Sequence, residues 1–567
     1  MIARILAFAP LALMLFASCA SPSAQPSPAT AVPRANVPKR VTAIVWNDPS
    51  SLLNRMNQRP NAPGAVALEQ LILSGLSEND PNGNLQPLLA DAVPSLENGL
   101  WQVQPDGRMD TTWHIRPGTV WHDGVPFTAD DLVFTTTVDQ DPDLPIPPNA
   151  AYRAVASVAA VDSETVVVHW SRPYIYANAM FGSGSSGIAF ASPLPKHLLE
   201  GTYLQDKTSF QSLPYWNQQY VGTGPFKVQE FVPGSHVSLV ANEQYVVGRP
   251  KIDQLEVRFS LDLDTMIANL LTGDVDLNLG RGFSTEHAVD MRQRWPQGDV
   301  RIFPNSWIVI FPQFIDASPA VVDDVRFRKA LIYATDRQQL VDELEGGLTQ
   351  VADVFLAPTE PEYQDVASQV VRYAYDPRQA GQMVEQLGYA RATDGFYRDS
   401  SGQALSLEMR TYGAKISDQA SVSVADMWTQ FGIQTEPVIV PPQRYLNDRE
   451  YMATFPSFLM YRQPDTSSVL QRSVASQVPT ADNKFVGSNY ARYQNPEFNS
   501  LINRFYVTIP TAERTSILGQ IMYHISDQLN MMGLFYDTEI MFVNQRLQNV
   551  YDHESGLSNI PQWDVVS

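Results

Sequence analysis

The amino-acid sequence predicts a mixed α/β or α+β protein with more than one lobe. Strand-like and helix-like segments alternate irregularly along the chain, which is typical of sheets covered by helices. The chain has 567 residues, whereas an average domain has ~100–200. It contains one cysteine, so no internal disulfide can form and hydrophobic cores must stabilise the fold.

Periodic apolar patterns locate the clearest elements of these lobes. Alternating or β-branched runs predict strands, and apolar residues spaced by three or four positions predict helices. The predicted strands are residues 41–46, 112–116, 165–170 and 405–410, and the predicted helices are residues 66–76 and 323–344. Asp323 is the predicted N-cap of the last helix.

The N-terminus predicts export. Arg4 is the only charge before an apolar run at residues 5–16, which is too short for a membrane span of about 20 apolar residues. A positive start, a short apolar run and small residues after it are typical of a secretory signal peptide. We therefore predict a signal peptide over residues 1–18.

Cys19 follows this predicted signal peptide. Residues 16–19, Phe-Ala-Ser-Cys, resemble the lipobox of bacterial lipoproteins, in which the cysteine is acylated and becomes the first mature residue. Residues 19–40 are rich in proline, serine and alanine, which predicts an extended tether. We therefore predict a lipid anchor on the outer face of the cell membrane. The alternative is an incidental cysteine in a signal peptide that is cleaved further along.

The charge balance excludes one class of partner. The formal net charge is −21, and such acidity favours a soluble monomer. The sequence has no basic cluster that would follow a phosphate backbone. We therefore predict no nucleic-acid partner.

The sequence lacks the motifs of the common enzyme classes. It contains no His-Glu-x-x-His, no Gly-x-Ser-x-Gly, no phosphate-binding loop and no dinucleotide fingerprint. None of its eight histidines is spaced from another by four positions, as a helical zinc site would require. The sequence therefore predicts a protein without catalytic residues, metal or cofactor, and a secreted hydrolase is the alternative.

Four separated motifs carry a family resemblance. The first combines residues 85–90 with Trp-His-Ile-Arg-Pro-Gly at 113–118 and Trp-His-Asp-Gly-Val-Pro-Phe-Thr-Ala-Asp-Asp-Leu at 121–132. In it, Thr128 and Asp131 predict a capping box at the start of a helix. The other motifs are residues 221–250, opening with Val-Gly-Thr-Gly-Pro-Phe; residues 270–277, Leu-Leu-Thr-Gly-Asp-Val-Asp-Leu; and residues 322–337, containing Arg-Phe-Arg-Lys-Ala-Leu. The glycines of the second motif predict close approach of two backbones.

In their order and spacing, these motifs resemble bacterial extracellular solute-binding proteins of family 5, which serve dipeptide, oligopeptide and nickel importers. The resemblance implies a periplasmic-binding-protein-like fold with two large lobes, a hinge and a small inserted domain. Lobe I would comprise residues 41–75, 215–305 and 531–567, the insert residues 76–214, and lobe II residues 306–530.

The resemblance also implies a function. The protein would capture a peptide or similar small solute between its lobes by hinge closure and pass it to the permease subunits of an ABC importer. A nickel chelate or haem is also open as the ligand within the family. A ligand-sensing lipoprotein without a transporter is an alternative role.

Candidate ligand contacts follow from strand ends, because the carboxyl ends of strands in α/β lobes face the ligand cleft. Arg410 and Tyr412 stand at the end of the strand predicted at residues 405–410. In dipeptide-binding relatives a similarly placed arginine and tyrosine contact the ligand carboxylate, to which a guanidinium offers a bidentate fork. The alternative is that Arg410 pairs with a nearby acid.

Residues 455–465 resemble the region where peptide-binding relatives place an aspartate for the ligand's amine. The matching position here is Met460, and Asp465 is the predicted substitute, unless it caps a helix over residues 466–472. Tyr461 and Arg462 of the same segment are further predicted contacts.

Aromatic residues at lobe crossings complete the predicted site. Trp46 and Asn47 end the first strand, and Trp307 begins an apolar run, residues 307–314, that is predicted to cross between the lobes. Each tryptophan would stack on a ligand or, alternatively, occupy a core.

Overall fold

The computed structural model describes residues 38–56, 64–80, 83–144, 150–183, 192–463, 466–553 and 556–566. The predicted signal peptide, Cys19 and Asp465 lie outside these ranges. The residues from Lys39 onward form one unit.

The strands are β1 (Arg40–Val45), β2 (Ser77–Asn79), β3 (Leu85–Pro87), β4 (Trp101–Val103), β5 (Met109–His114), β6 (Val155–Ala160), β7 (Thr165–Trp170), β8 (Phe226–Val232), β9 (His236–Ala241), β10 (Gln254–Phe259), β11 (Leu277–Leu279), β12 (Gly298–Pro312), β13 (Ala390–Arg391), β14 (Tyr397–Arg398), β15 (Ser406–Thr411), β16 (Gln434–Ile439), β17 (Phe458–Gln463), β18 (Met532–Asn544), β19 (Leu547–Gln548), β20 (Tyr551–His553), β21 (Gly556–Ser558) and β22 (Asp564–Val565).

The helices are α1 (Ala65–Ile72), α2 (Ala129–Asp139), α3 (Ala150–Ala154), α4 (Lys196–Gln205), α5 (Lys207–Gln211), α6 (Leu263–Thr272), α7 (Thr285–Arg294), α8 (Val325–Tyr333), α9 (Arg337–Leu344), α10 (Tyr363–Ala367), α11 (Pro377–Gln386), α12 (Lys415–Phe431), α13 (Pro442–Asn447), α14 (Arg449–Ala453), α15 (Thr466–Arg472), α16 (Pro496–Val507) and α17 (Thr511–Gln528).

One ten-stranded mixed sheet, in the order β16-β15-β17-β12-β18-β11-β1-β10-β9-β8, organises the chain. We call β11, β1, β10, β9 and β8 the first half-sheet, and β16, β15 and β17 the second half-sheet. Within the first, β1 runs parallel to β10 and β11, and within the second, β15 runs parallel to β16 and β17. The antiparallel pair β12 and β18 joins the two half-sheets.

Different hydrophobic cores cover the two ends of this joining pair. Near Ile308 and Phe535, one face packs into a core shared with α8, α9 and α12. Near Ile302 and Phe542, the pair packs against α6 and α7. The joining strands therefore pass from one packed layer of helices to another.

A separate four-stranded antiparallel sheet, β4-β5-β7-β6, lies within residues 101–170. Its strand β5 alternates buried and half-buried residues, as expected for a sheet with one covered face. Trp113 and Trp170 are at most 1% exposed and fill the covered side.

Most predicted elements are confirmed, with shifted ends. The strands predicted at 41–46, 165–170 and 405–410 are β1, β7 and β15, and β5 ends two residues before the predicted limit of 116. The helix predicted at 66–76 is α1, which ends at Ile72 because Leu73 is extended. The capping box is confirmed, since the Thr128 N–H donates to the Asp131 carboxylate at 2.9 Å and opens α2.

The single helix predicted at 323–344 is wrong. The segment forms two helices, α8 and α9, and the cap of the first is Asp324, whose carboxylate accepts from the Arg326 N–H. The helix stops because Asp336 leaves the helical conformation and caps α9 through the Gln339 N–H. The apolar spacing therefore continues through both helices, but each helix begins at its own N-cap, Asp324 or Asp336.

The second motif brings two backbones together, as its glycines predicted. A Cβ added to Gly222 would lie 2.0 Å from the Ile72 carbonyl oxygen, and one added to Gly224 would lie 2.3 Å from the Ile72 carbonyl carbon. Buried His122 locks the contact, because its Nδ1 accepts from the Gly222 N–H at 3.1 Å while its Nε2 bonds the Gly224 carbonyl at 3.0 Å. Burial lowers the pKa of His122 to about 4, so the ring is neutral, as this pairing requires.

We expect Gly224→Ala to destabilise the protein by about 2–4 kcal/mol, because the backbone of Ile72 cannot yield as a flexible side chain would. Urea unfolding followed by circular dichroism measures the effect. Gly201→Ala is the matched control, since a Cβ there meets no atom within 4 Å in α4 and the change stabilises a helix by about 0.5–1 kcal/mol. Equal midpoints for Gly224→Ala and wild type would contradict the packing argument.

Candidate functional site

The carboxyl ends of parallel strands from both half-sheets converge on the middle of the β12–β18 pair. β11 pairs with β18 at Leu277 and Val543 and then runs toward the earlier residues of β18. β17 ends where Gln463 lies opposite Trp307, which in turn lies opposite Tyr536. Because ligands bind outside the carboxyl ends of such strands, this convergence defines the candidate site.

An ion pair anchors the site to the joining strands. The Arg462 Nε donates to the Asp537 carboxylate, and the Ser306 hydroxyl donates to the same oxygen at 3.3 Å. The two charged side chains are only 17% and 13% exposed. A register shift between Pro304 and Ser306 lies beside them, and such bulges commonly re-aim side chains near functional sites.

A tyrosine cluster continues the site from Tyr461. The rings of Tyr412 and Tyr461 stack with centroids 5.1 Å apart, and Tyr445 packs on Tyr412 at the same distance. Tyr490 meets Tyr461 edge-on at 6.3 Å. Burial raises the pKa of Tyr412 and of Tyr461 above the usual range. Their hydroxyls are therefore neutral at physiological pH and can donate hydrogen bonds.

Trp46 directly follows β1 and lies against the segment that follows β11. Its Nε1 donates to the Leu261 carbonyl at 3.1 Å, and its ring lies against Gly282. Gly282 has a φ of +146°, and an added Cβ would lie 2.6 Å from Cε3 of the Trp46 ring. Only glycine fits this backbone beside the indole. Asn47, the next predicted contact, is half-buried.

Arg281 is a site residue that the sequence analysis missed. It follows β11 by two positions, is half-buried, and lies near Arg462, Glu539, Asp537 and Tyr461. Its signal in the sequence was a charged residue between two glycines directly after a strand. That signal was weak because β11 has only three residues.

Glu345 is a second missed residue. It is 1% exposed, and its carboxyl group accepts from the hydroxyls of Thr285 at 2.6 Å and Thr538 at 2.9 Å. Burial and the neighbouring Asp537 raise the pKa of Glu345 to about 8. The carboxyl group of Glu345 therefore keeps its proton to a higher pH than an exposed glutamate does.

Two predicted ligand contacts, Arg410 and Trp307, lie in the surroundings that their alternatives describe: an ion pair with a nearby acid and a place in a core. Arg410 is 4% exposed, its Nε donates to Glu408 at 2.7 Å, and its guanidinium lies 3.7 Å from the ring centroid of Tyr451. Trp307 is fully buried and packs against Phe355 and Tyr536. These contacts are those of packing residues, so ligand contact by Arg410 and Trp307 stays a prediction.

Met460, where peptide-binding relatives were expected to carry an acid, is fully buried in the core beneath the second half-sheet. An aspartate with this orientation would face apolar side chains. Asp465, its predicted substitute, lies outside the described residues. The neighbouring prediction of a helix at 466–472 is confirmed as α15.

Two other structural features are absent from the described ranges. No helix there is long and apolar enough to cross a membrane. No group of three or more histidine, cysteine, aspartate or glutamate side chains in the same ranges is arranged to hold a metal ion. The candidate site contains guanidinium donors, neutral phenols and aromatic faces, which are groups typical of a binding site.

Comparisons with known proteins agree with this geometry. The family described as "Bacterial extracellular solute-binding proteins, family 5 Middle" matches residues 85–479. The oligopeptide-binding protein AppA of Bacillus subtilis is 24% identical over 507 residues, which cover 88% of this chain and 86% of AppA. Heme-binding protein A of Haemophilus influenzae is 25% identical over 484 residues, covering 81% and 82% of the two chains.

Solved structures share the fold. The crystal structure of NikA from Brucella suis in complex with Fe(III)-EDTA has a TM-score of 0.73 at 15% identity and covers 93% of this chain and 100% of that chain. AppA from Bacillus subtilis in complex with a nonapeptide has a TM-score of 0.67 at 22% identity, covering 94% and 100%. The predicted periplasmic-binding-protein-like fold of two lobes is thereby confirmed.

The buried carboxyl group of Glu345 generates a prediction about pH. An unfolded glutamate has a pKa of about 4.3, so between that value and about 8 the folded chain holds a proton that the unfolded chain releases. The contribution of Glu345 to stability is complete below about pH 4.3 and falls as the pH rises to about 8, by on the order of 1.4 kcal/mol per unit of pKa difference.

Glu345→Gln should keep the hydrogen bonds of the protonated acid without its titration. We expect the melting temperature of the variant to match wild type near pH 5 and to exceed it above pH 8, as measured by scanning calorimetry. Glu343→Gln, an exposed change on α9, is the control and should follow wild type throughout. A constant difference between Glu345→Gln and wild type at every pH would show that Glu345 does not titrate in this window.

Proposed function

Because the chain belongs to the bacterial extracellular solute-binding proteins of family 5, we propose that it captures a peptide or similar small solute between its two lobes by hinge closure. Membership of this family makes it a substrate-binding protein of an ABC importer, and members of the family are binding proteins that act outside the cytoplasm. The observation that carries the proposal is the convergence of strand ends from both half-sheets on the β12–β18 pair.

The convergence supports capture because each half-sheet contributes different groups. Trp46 comes from the first half-sheet, and Tyr412, Tyr461 and Arg462 come from the second. A solute that contacts both sets is bound more tightly when the lobes close, and this difference in affinity is what drives closure. The importer then recognises the loaded protein by its closed shape.

Peptides are the proposed class of solute because guanidiniums, neutral phenols and aromatic faces suit a short polar chain. Relatives named for oligopeptides and dipeptides support this choice. Haem and metal chelates are the competing solutes, since one relative is a heme-binding protein and one solved neighbour holds Fe(III)-EDTA.

A binding experiment tests the proposal. We expect a pool of short peptides to raise the melting temperature of the purified protein, and native mass spectrometry to show the bound species. A ligand at 100 times its Kd stabilises the folded state by about 2.7 kcal/mol. Tyr461→Ala should reduce the ligand-induced shift, whereas Tyr375→Ala, at a tyrosine that is 52% exposed, should preserve it.

Three results would contradict the proposed function. A rise in melting temperature with haem or a nickel–histidine chelate but not with peptides would identify that compound, and not a peptide, as the class of solute. Hydrolysis of the peptides would point to the alternative of a secreted hydrolase. No adduct and no thermal shift with any of these compounds would favour a role other than solute capture.

We also propose that Cys19 carries a lipid anchor and that the stretch after it forms the tether of a monomeric receptor. The tether is shorter than the predicted residues 19–40, because the Lys39 N–H donates to Asp253 and Arg40 begins β1. The short apolar run, the Phe-Ala-Ser-Cys sequence and the proline-rich stretch after it support the anchor and the tether. Attached acyl chains contribute about 0.8 kcal/mol per buried CH₂. Two or more chains would therefore hold the protein stably at the membrane.

Cys19→Ser is expected to move the protein from the membrane pellet to the soluble fraction and to abolish labelling with radioactive palmitate. Ser23→Ala, in the proposed tether, is the control and should remain membrane-bound and labelled. Labelling that persists in Cys19→Ser would place the lipid elsewhere.

A further inference from the structure

Two helices that belong to different cores meet at their ends beside the joining pair. α7 packs with α6 in the core near Phe542, and α9 packs with α8 and α12 in the core near Phe535. Thr285 is the first residue of α7, and Glu345 is the C-cap of α9. A contact between these two residues therefore spans the boundary between the two packed layers of helices.

A carboxyl group and a close approach of the chain join the two helix ends. The Thr285 hydroxyl donates to Glu345 at 2.6 Å, and the Thr538 hydroxyl of β18 donates to the same oxygen at 2.9 Å. Gly346 follows with a φ of +56°, and a Cβ added there would lie 3.4 Å from Cγ2 of Thr285 and 3.9 Å from Cγ2 of Val289. The carboxyl group of Glu345 thus connects α7, α9 and β18.

This connection lies where the joining pair is irregular. Thr538 is opposite Pro304, and the register of the pair shifts between Pro304 and Ser306. A bulge bends the strand that carries it and increases the local twist. Hinge bending of the lobes about this point changes the distance between the ends of α7 and α9, so the Thr285–Glu345 hydrogen bond is kept only over a narrow range of lobe angles.

The connecting group is an acid with little access to water. Glu345 is 1% exposed, and burial, followed by the charge of Asp537, raises its pKa to about 8. Separation of the two helix ends would admit water and return the pKa of Glu345 toward the value of about 4.3 of an exposed glutamate. The separated arrangement would therefore release a proton that the arrangement seen here retains.

Asp537 is the charged side chain with the largest effect on the pKa of Glu345. Asp537 itself pairs with Arg462 and lies near Arg281. The other titratable side chains of α7, α9 and β18 are exposed or have partners of their own. They are Glu286, His287, Asp290, Arg292 and Arg294 on α7, Arg337, Asp342 and Glu343 on α9, and Tyr536 and Glu539 on β18.

We propose that the Thr285–Glu345 contact is a joint that holds the lobes at the angle seen here, and that loss of the proton from Glu345 releases it. This inference rests on hinge motion between the lobes, which is part of the proposed function, and not on the class of solute. The joint is fully favoured below about pH 4.3 and weakens as the pH rises to about 8. Since one proton distinguishes the two arrangements, the ratio of their populations changes by up to about tenfold per pH unit.

Fluorescence energy transfer between the two layers of helices tests the joint without a solute. Cys19 is the only cysteine of the chain, so in a Cys19→Ser background two introduced cysteines are the only labelling sites. Asp264→Cys on α6 and Asp426→Cys on α12 place the dyes at exposed positions on the layers that contain α7 and α9. We expect the transfer efficiency of the ligand-free protein to fall as the pH rises from 5 to 9, because release separates these layers.

Two variants of the labelled protein distinguish the proton from the hydroxyl. Glu345→Gln still accepts from Thr285 but has no proton to lose at these pH values, so its transfer efficiency should remain constant from pH 5 to 9. Thr285→Val removes the hydroxyl with little change of shape, so its efficiency should lie below that of wild type already at pH 5. The controls are Glu343→Gln on α9 and Thr511→Val at the first position of α17, both exposed, and both should follow wild type.

Constant transfer efficiency of wild type from pH 5 to 9, or an equal pH dependence in Glu345→Gln, would overturn release by proton loss. Thr285→Val with the efficiency of wild type at pH 5 would overturn the joint. Circular dichroism at each pH checks that the labelled proteins are folded. If Thr285→Val does not fold, the comparison of wild type with Glu345→Gln decides.

These results are separable from those that test solute capture. A thermal shift with peptides together with constant transfer efficiency would remove the joint and leave peptide capture standing. A transfer efficiency that falls with pH in wild type but not in Glu345→Gln would support the joint, even if no solute shifted the melting temperature and capture were contradicted.

Discussion

The backbone pairing of β12 with β18 is the constraint on which the rest of the structure depends. It runs from Gly298 opposite Asn544 to Ile310 opposite Met532, and each half-sheet attaches to one side of it. The register of this pair decides which strand ends meet. A slip by one residue would turn Asp537 to the other face of the sheet and leave Arg462 buried without its partner.

Three buried arginines of this protein are each compensated by fixed hydrogen-bond or ion-pair partners. Arg328 is 2% exposed and donates to the carbonyls of Val322, Asp323 and Gln528. Arg337 pairs with Asp353 at 2.8 Å, and Arg410 pairs with Glu408 and stacks on a tyrosine. These residues serve the scaffold, because every guanidinium among them has fixed partners.

The sequence predicted what depends on neighbours in the chain. Strands β1, β7 and β15, the Thr128 cap and the glycine contact all follow from local patterns, and the motif order led to the family and the fold. Errors arose where two local signals competed, as at Asp324 and Asp336. The surroundings of Glu345 and Arg281 could not be predicted, because both depend on strands brought together from distant parts of the chain. For the same reason, the sequence could not show that Trp307 is fully buried whereas Trp46 is half-buried.

The contact between Trp46 and Gly282 gives the protein a built-in optical reporter. All ten tryptophans lie within the described residues, and nine of them are buried while Trp46 is half-buried. A collisional quencher such as acrylamide therefore reaches one indole far more readily than the others. That indole rests on Gly282, so its quenching and emission wavelength would report, without any attached dye, whether a solute covers Trp46 as proposed.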